Sequence, residues 1–338
     1  MPPTPEEQAE LLAICRRTFQ NPQPDGSLAR QFHAKTHACL RGTLTIAPPE
    51  DPRLRHGLFA QPGRYPALVR FSNSFFADDA HPDVRGVAIK LTGVDGPVCD
   101  GASPGQQDFV LMNEATGPAR DSTEAMHLFR ALDGIAQISM ATIVAPRYLF
   151  AGLLPWHIRW RYFAFLTRSG LRHLLGRDLG QFEYNSVTPY RLGDGETKFL
   201  LRPDAFAQSR RRARGADFRT RLQDALDQGP IGFDFCLQPR ILDDDPLEDA
   251  RRKWKSPVRP VGRLEVPQQD VAATVGLGDG LAFSPWNCLT AHEPLGSINA
   301  LRRSAYHASA ANRGADANAP DDLGHDKAVA PEDAPGTG

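Results

Sequence analysis

The chain has 338 residues, 41% of them hydrophobic and 23% charged, with 39 Lys and Arg against 40 Asp and Glu for a formal net charge of −1. That balance is enough for a sizeable core, in one large domain or two ordinary ones, and excludes a disordered chain. Acids and bases are interspersed, leaving no electrostatic footprint for nucleic acid or an anionic membrane, so no nucleic-acid partner is expected. Five cysteines (Cys15, Cys39, Cys99, Cys236, Cys288) form no Cys-x-x-Cys pair, which disfavours a zinc site or a disulfide framework and leaves reduced structural thiols. Met1 to Glu10 is acidic and proline-bearing with no basic-plus-apolar leader, so a cytoplasmic location is expected.

In chain order, Glu6 to Phe19 begins with acids, carries Leu11, Leu12, Ile14 and Cys15, and ends with Arg16-Arg17. This predicts a short amphipathic helix aligned with the helix dipole. Asn21 to Gly26 breaks the chain, and residues 1–24 read as an N-terminal helix and linker. Strands are predicted at Arg41 to Ile46, Ala67 to Ser72, Val84 to Thr92 and Gln107 to Met112, an antiparallel meander whose polar exceptions are His33, Arg70 and Ser72. Thr123 to Leu132 and Ile135 to Leu154 are helix-like, and Arg159 to Leu175 mixes aromatic residues with arginines. Pro146, Arg147, Pro155, His157 and Arg159 keep every apolar run short of the ~18 residues that span a bilayer. This stretch reads either as a helical insert covering one side of the fold or as an apolar, weakly membrane-contacting gate for lipid-like substrates. Strand signals return at Phe182 to Tyr190, Thr197 to Arg202, Gly232 to Pro239 and Val258 to Val266, with Gly193-Asp194-Gly195 as a hairpin turn. About eight strands are the number that closes a small barrel. From Ala315 on, Ala, Asn, Pro, Asp and Gly dominate without periodicity, so 316–338 reads as a disordered tail.

Leu295 to Ala311 contains no proline and predicts a helix opened by Pro294-Leu295-Gly296-Ser297, so Arg302 and Tyr306 lie one turn apart on one face. A fixed positive charge beside a phenol favours the phenolate, the form that can ligate ferric iron in haem. Arg313 follows seven residues later, placed for an anionic group, while Arg303 is off the Tyr306 face.

Three segments carry a family resemblance: Arg30-Gln31-Phe32-His33-Ala34-Lys35, Ala67-Leu68-Val69-Arg70-Phe71-Ser72, and Arg302-Arg303-Ser304-Ala305-Tyr306 with Arg313. In order and spacing they resemble the haem catalases, over about residues 25–315. The resemblance implies an α+β fold built on a closed antiparallel β-barrel with surrounding helices, the haem-binding domain being 25–315. It implies haem b held by iron ligation from Tyr306, with Arg302 stabilising the phenolate. Arg30, Arg70 and Arg313 would meet the haem propionates by charge-assisted, often bidentate contacts. His33 would be the distal acid and base that moves a proton between the peroxide oxygens, oriented by Ser72. His37, four residues on, is the rival histidine and reads as structural or rim-exposed.

Two departures accompany the resemblance. Catalases carry a distal asparagine before an apolar strand, and the matching stretch, Gly105 to Leu111, offers Gln106 in its place. The chain also condenses the wrapping segment and lacks room for the long arm and C-terminal helical domain of typical catalases. The expected activity is therefore that of a haem peroxidase or catalase using hydrogen peroxide or organic hydroperoxides as small-molecule substrates, with a homodimer as the assembly to test. The same barrel and Arg-x-x-x-Tyr also occur in allene oxide synthase domains, so a fatty-acid hydroperoxide isomerase or lyase is the alternative. A non-enzymatic haem-binding protein is the third reading.

Overall fold

In the computed structural model, residues 2–20, 26, 28–30, 32–74, 78–79, 83–136, 155–173, 177–209 and 217–320 are described. The chain builds β1 (Lys35–Ile46), β2 (Gly63–Asn73), β3 (Arg85–Thr92) and β4 (Gln106–Met112) as an antiparallel meander. After helices α1 (Pro5–Ile14), α2 (Ser122–Ala136) and α3 (Trp156–His173) come the two-residue β5 (Tyr184–Asn185), β6 (Tyr190–Leu192) and β7 (Gly195–Pro203). Helices α4 (Ala205–Ser209) and α5 (Phe218–Asp227) precede β8 (Ile231–Pro239) and β9 (Arg259–Val266); α6 (Val275–Gly280) and α7 (Ser297–Arg313) follow.

Closure depends on the shortest strand. Tyr184 and Asn185 pair with β7 on one side and Asn185 with Met112 of β4 on the other, while β9 pairs with β1. Eight strands thus form a closed antiparallel barrel, with β6 attached to β7 through the turn at Gly193. The stretch read as one strand over Phe182 to Tyr190 is broken in two here, because Val187 adopts a left-handed φ of 64° that no ladder accommodates.

Alternation along the strands sorts residues between two environments. Ala67, Val69 and Phe71 of β2 join the barrel interior, where Phe109 meets Phe199 and Phe235 edge-on at 4.9 and 4.8 Å. Leu68, Arg70 and Ser72 face outward, where Leu68 joins Cys39, Ala88, Leu281 and Phe283 in a second cluster. Helices α1, α2 and α7 meet in a third, with Leu11, Ile14, Met126, Leu128, Leu301 and Ala305. The N-terminal helix α1 is therefore packed against α2 and α7.

Asp108 of β4 fixes the crossing from the barrel to α7. Its carboxylate accepts from Lys90 Nζ at 2.9 Å, from the Ser284 N–H at 2.9 Å and from Asn287 Nδ2 at 3.1 Å. Lys90 also donates to the Ala317 carbonyl at 3.0 Å. Asp316 is bonded to Gly280 and Ala282, so the expected tail begins later than residue 316; residues 321–338 lie outside those described, as does most of the helix expected at Ile135 to Leu154.

Removing one partner of a fully buried, hydrogen-bonded ion pair leaves an uncompensated charge. Asp108→Ala is expected to destabilise the fold by ~3–5 kcal/mol in denaturant titrations, and Lys90→Met in the same chain to recover at least half of that loss. A single-variant cost below ~1 kcal/mol would contradict the pair's role.

Candidate active site

The outward face of β2 and β3 is roofed by one face of α7, and between them lies a solvent-connected slot. Its walls are small: Gly86 and Ala88 from β3 on one side, Ala305, Ser309 and Ala310 from α7 on the other. Both ends of helix α7 are set for local reasons. The Glu248 carboxylate accepts from the Ser297 N–H and hydroxyl at the N-terminus, where negative charge complements the dipole, and Gly314 ends it in the left-handed conformation at φ 59°.

At one end of the slot stand Arg30, Arg70 and Arg313. Arg70 Nη2 donates to the His33 carbonyl and to Thr36 Oγ1, both at 2.7 Å. Arg30 donates to the carbonyls of Gly278 and Leu281, and Arg313 to those of Asp279 and Leu281. The Nε groups of Arg30 and Arg313 are buried without a partner. Among the described residues no carboxylate reaches ion-pair distance of any of the three, and the nearby Asp279 is engaged by Thr36 Oγ1. Burial, and then repulsion from Arg70 and Arg313, push the Arg30 guanidinium well below its usual range. Burial brings Arg70 down to about 10. A cluster so unfavourable on its own is matched to a multiply charged anion.

His33 precedes β1 with φ 55°, a left-handed conformation that is costly for a residue other than glycine. Its N–H donates to the Ser74 carbonyl at 2.9 Å, and its Nδ1 lies 3.1 Å from Ser72 Oγ. Nε2 is left toward the slot. The ring rests on Gly86, where a Cβ would fall 2.3 Å from Nδ1, so a side chain there would evict it. Desolvation, then the charges of Arg70, Arg302 and Arg30, lower the imidazole to about 3. It is a neutral base at neutral pH.

Arg302 on α7 is held by three groups: Nη1 donates to Thr188 Oγ1 at 3.1 Å and to Asn299 Oδ1 at 3.0 Å, and Nη2 lies 3.4 Å from Tyr306 Oη. Burial opposes its charge, but the facing phenols of Tyr306 and Tyr190 outweigh burial and raise it. Asn299 is itself pinned to the carbonyls of Pro189 and Leu295. Thr188 and Asn299 escape a reading of the sequence because they belong to elements 111 residues apart. The strained Val187 next to Thr188 is what turns the chain toward α7.

The slot therefore gathers Arg30, His33, Arg70, Ser72, Tyr306 and Arg313, with Arg302 behind Tyr306, but not Gln106. Gln106 pairs with Thr92 at the far end of the hairpin and its amide donates to Asn318 Oδ1 at 3.2 Å. The β4 residue across from Gly86, on the face shared with Val110, is Met112. It packs with Phe32, Leu301 and Ala305. Among the described residues no amide side chain lines the slot. His37, the rival histidine, is buried rather than rim-exposed: it occupies the β1 bulge between Thr36 and Ala38, with Nε2 2.7 Å from Asn73 Oδ1 and its ring edge-on to Phe218. The Arg303 side chain is off the Tyr306 face, bonded to Asp100 and over the Trp286 ring.

No family profile matches the chain. It is 28% identical over 278 residues, 78% of this chain and 82% of that protein, to a catalase-related peroxidase of Mycolicibacterium paratuberculosis. Its fold superposes on a fungal catalase with a TM-score of 0.57 at 17% identity, covering 90% of this chain and 61% of that one. The chain has the catalase fold. A bacterial catalase (TM-score 0.56, 17% identity, 92% of this chain and 60% of that one) and catalase A of Saccharomyces cerevisiae (0.57, 16%, 90% and 63%) show the same fold. The chain thus spans about 60% of the length of the solved catalases it matches. None of its described helices is long and apolar enough to cross a membrane.

His37 and His292 supply a pH test independent of any ligand. Both are fully buried, and desolvation brings each to about 4, from an ordinary 6.5. Below pH 6.5 the unfolded chain takes up protons that the folded chain refuses, so their contribution is complete above 6.5 and is lost as pH falls toward 4. Denaturation midpoints should fall over that window, by at most ~1.4 kcal/mol per pH unit for each histidine. A stability profile that is flat from pH 7 to 4.5 would contradict this (window limits from the same shifts).

Proposed function

We propose that the slot holds haem b, with Tyr306 as the axial ligand to iron, and that the chain is a peroxide-metabolising oxidoreductase. The observation that carries this reading is the trio Arg30, Arg70 and Arg313: three guanidinium groups with no carboxylate, at one end of a narrow slot that has Tyr306 and His33 on its walls. A flat macrocycle with two carboxylates along one edge fits both the small-residue walls and the unbalanced charge. When bound, haem supplies a ferric centre able to accept a peroxide oxygen and to exchange electrons.

The chain's own residues do the rest. Arg302, fixed by Thr188 and Asn299, holds positive charge beside the Tyr306 oxygen. Ser72 fixes the His33 ring through Nδ1 and leaves Nε2 for substrate. A neutral His33 takes the proton from one peroxide oxygen and delivers it to the other as the O–O bond breaks, so that the departing oxygen leaves as water or an alcohol. Full dismutation needs a second hydrogen peroxide held in a fixed pose, and among the described residues the slot has no amide to hold it. Organic hydroperoxides, used with an added electron donor, are therefore the favoured substrates.

With haem-quantified protein, oxygen release from hydrogen peroxide is expected to be slow while cumene or fatty-acid hydroperoxide is consumed readily. His33→Ala should cut peroxide turnover by ~10²- to 10⁴-fold and leave haem content unchanged. Rapid oxygen release with no turnover of bulky hydroperoxides would return the chain to plain catalase activity. Isomerised or cleaved fatty-acid products formed without a donor would establish the allene oxide synthase type of reaction instead.

A further inference from the structure

Cys99 and Cys288 are separated by 189 residues, yet the fold sets their sulfurs 3.6 Å apart. Val98 and Leu289 form an antiparallel bridge, the Cys99 N–H donates to the Cys288 carbonyl at 2.9 Å, and the Thr290 N–H to the Pro97 carbonyl at 2.9 Å. The two cysteines are thus directly opposed across a pinned backbone pair. A disulfide needs its sulfurs at about 2.05 Å, an approach that side-chain rotation can supply. Cys288 is wholly buried and Cys99 is the more accessible of the two, at 6% exposed.

We infer that Cys99 and Cys288 are a peroxide-oxidisable dithiol, with Cys99 the attacking sulfur and Cys288 the resolving one, outside the slot described above. Cys288 Sγ is the donor to Cys99 Sγ. That hydrogen bond lowers Cys99, aided by Arg303 and Arg191 against its burial, while Cys288 is raised by the same bond and by burial. A thiolate of lowered basicity beside a second thiol is the arrangement from which disulfides form. The three remaining cysteines differ: burial pushes Cys15, Cys39 and Cys236 up to about 12, and each stands without a sulfur neighbour among the described residues.

The reaction balances with a hydroperoxide, ROOH, as oxidant. The Cys99 thiolate attacks the terminal oxygen, the O–O bond breaks, ROH leaves after taking a proton, and Cys99 becomes a sulfenic acid. Cys288 then attacks the sulfenic sulfur, the S–O bond breaks and water leaves with the two remaining protons. One disulfide, one ROH and one water result, and the peroxide is reduced by two electrons. The crosslink joins the connection between β3 and β4 to the segment leading into α7. Arg303 already links the same regions through Asp100 and Trp286.

The test is peptide mass mapping after hydrogen peroxide treatment, with free thiols alkylated under denaturing conditions, on the wild-type chain and on Tyr306→Phe. The proposal predicts a Cys99–Cys288 crosslinked peptide in both chains, reversed by dithiothreitol, with Cys15, Cys39 and Cys236 still alkylated. Its appearance in Tyr306→Phe separates this chemistry from the haem reading, which that substitution removes. In Cys288→Ser, Cys99 should instead be recovered as sulfenic or sulfinic acid. Recovery of Cys99 and Cys288 as free thiols, or oxidation of all five cysteines alike, overturns the proposal.

Discussion

The constraint on which this structure turns is the clustering of buried Arg70 with half-buried Arg30 and Arg313, with Asp279 nearby but, among the described residues, no carboxylate at ion-pair distance. Burying one such charge costs several kcal/mol even after relaxation, and like charges add to the cost. The fold offsets part of it with neutral acceptors, the carbonyls of His33, Gly278, Asp279 and Leu281 and the Thr36 hydroxyl. Those acceptors come from the β1 entry, the β1 bulge and α6, which explains why irregular backbone collects at this end of the barrel. The remaining imbalance is a recognition device for an anion, and the proposed function rests on it.

The other end of the slot uses the opposite tactic, pairing Arg302 with neutral side chains of the same chain. Arg302, Asn299 and Thr188 form a closed hydrogen-bond set around Tyr306. The set ties α7 to the barrel where β5 closes it. The strain at Val187 and at His33 sits on either side of the same slot. Such backbone persists only where surrounding contacts over-determine it. The buried Lys90–Asp108 pair does this for the segment entering α7, so barrel, wrapping segment and helix form one support for Tyr306.

Much of this was legible in the sequence. Strands β1 to β4 and β7 to β9 show the alternation of a two-sided sheet, and Arg70 and Ser72 stand out because a plain apolar strand would not carry them. The proline-free run before Gly314 announces α7. What could not be read follows from tertiary structure. The irregular connection of residues 93–105 hides the register of β4, so the sequence suggests Gln106 for the position that Met112 occupies. The break at Val187, the Thr188 and Asn299 partners of Arg302, and the meeting of Cys99 with Cys288 all join residues distant along the chain. Helix α5 passed unnoticed because its Phe218, Leu222, Ala225 and Leu226 face is spread among charged residues.

The central claim is that Tyr306 ligates haem iron in this slot, and the most direct measurement is a spectroscopic haem titration of the wild-type chain beside Tyr306→Phe. The account predicts a stoichiometric ferric complex with the spectrum of phenolate ligation in the wild-type chain, and loss or severe weakening of binding in the variant. A variant that keeps the wild-type haem content and Soret spectrum would contradict it.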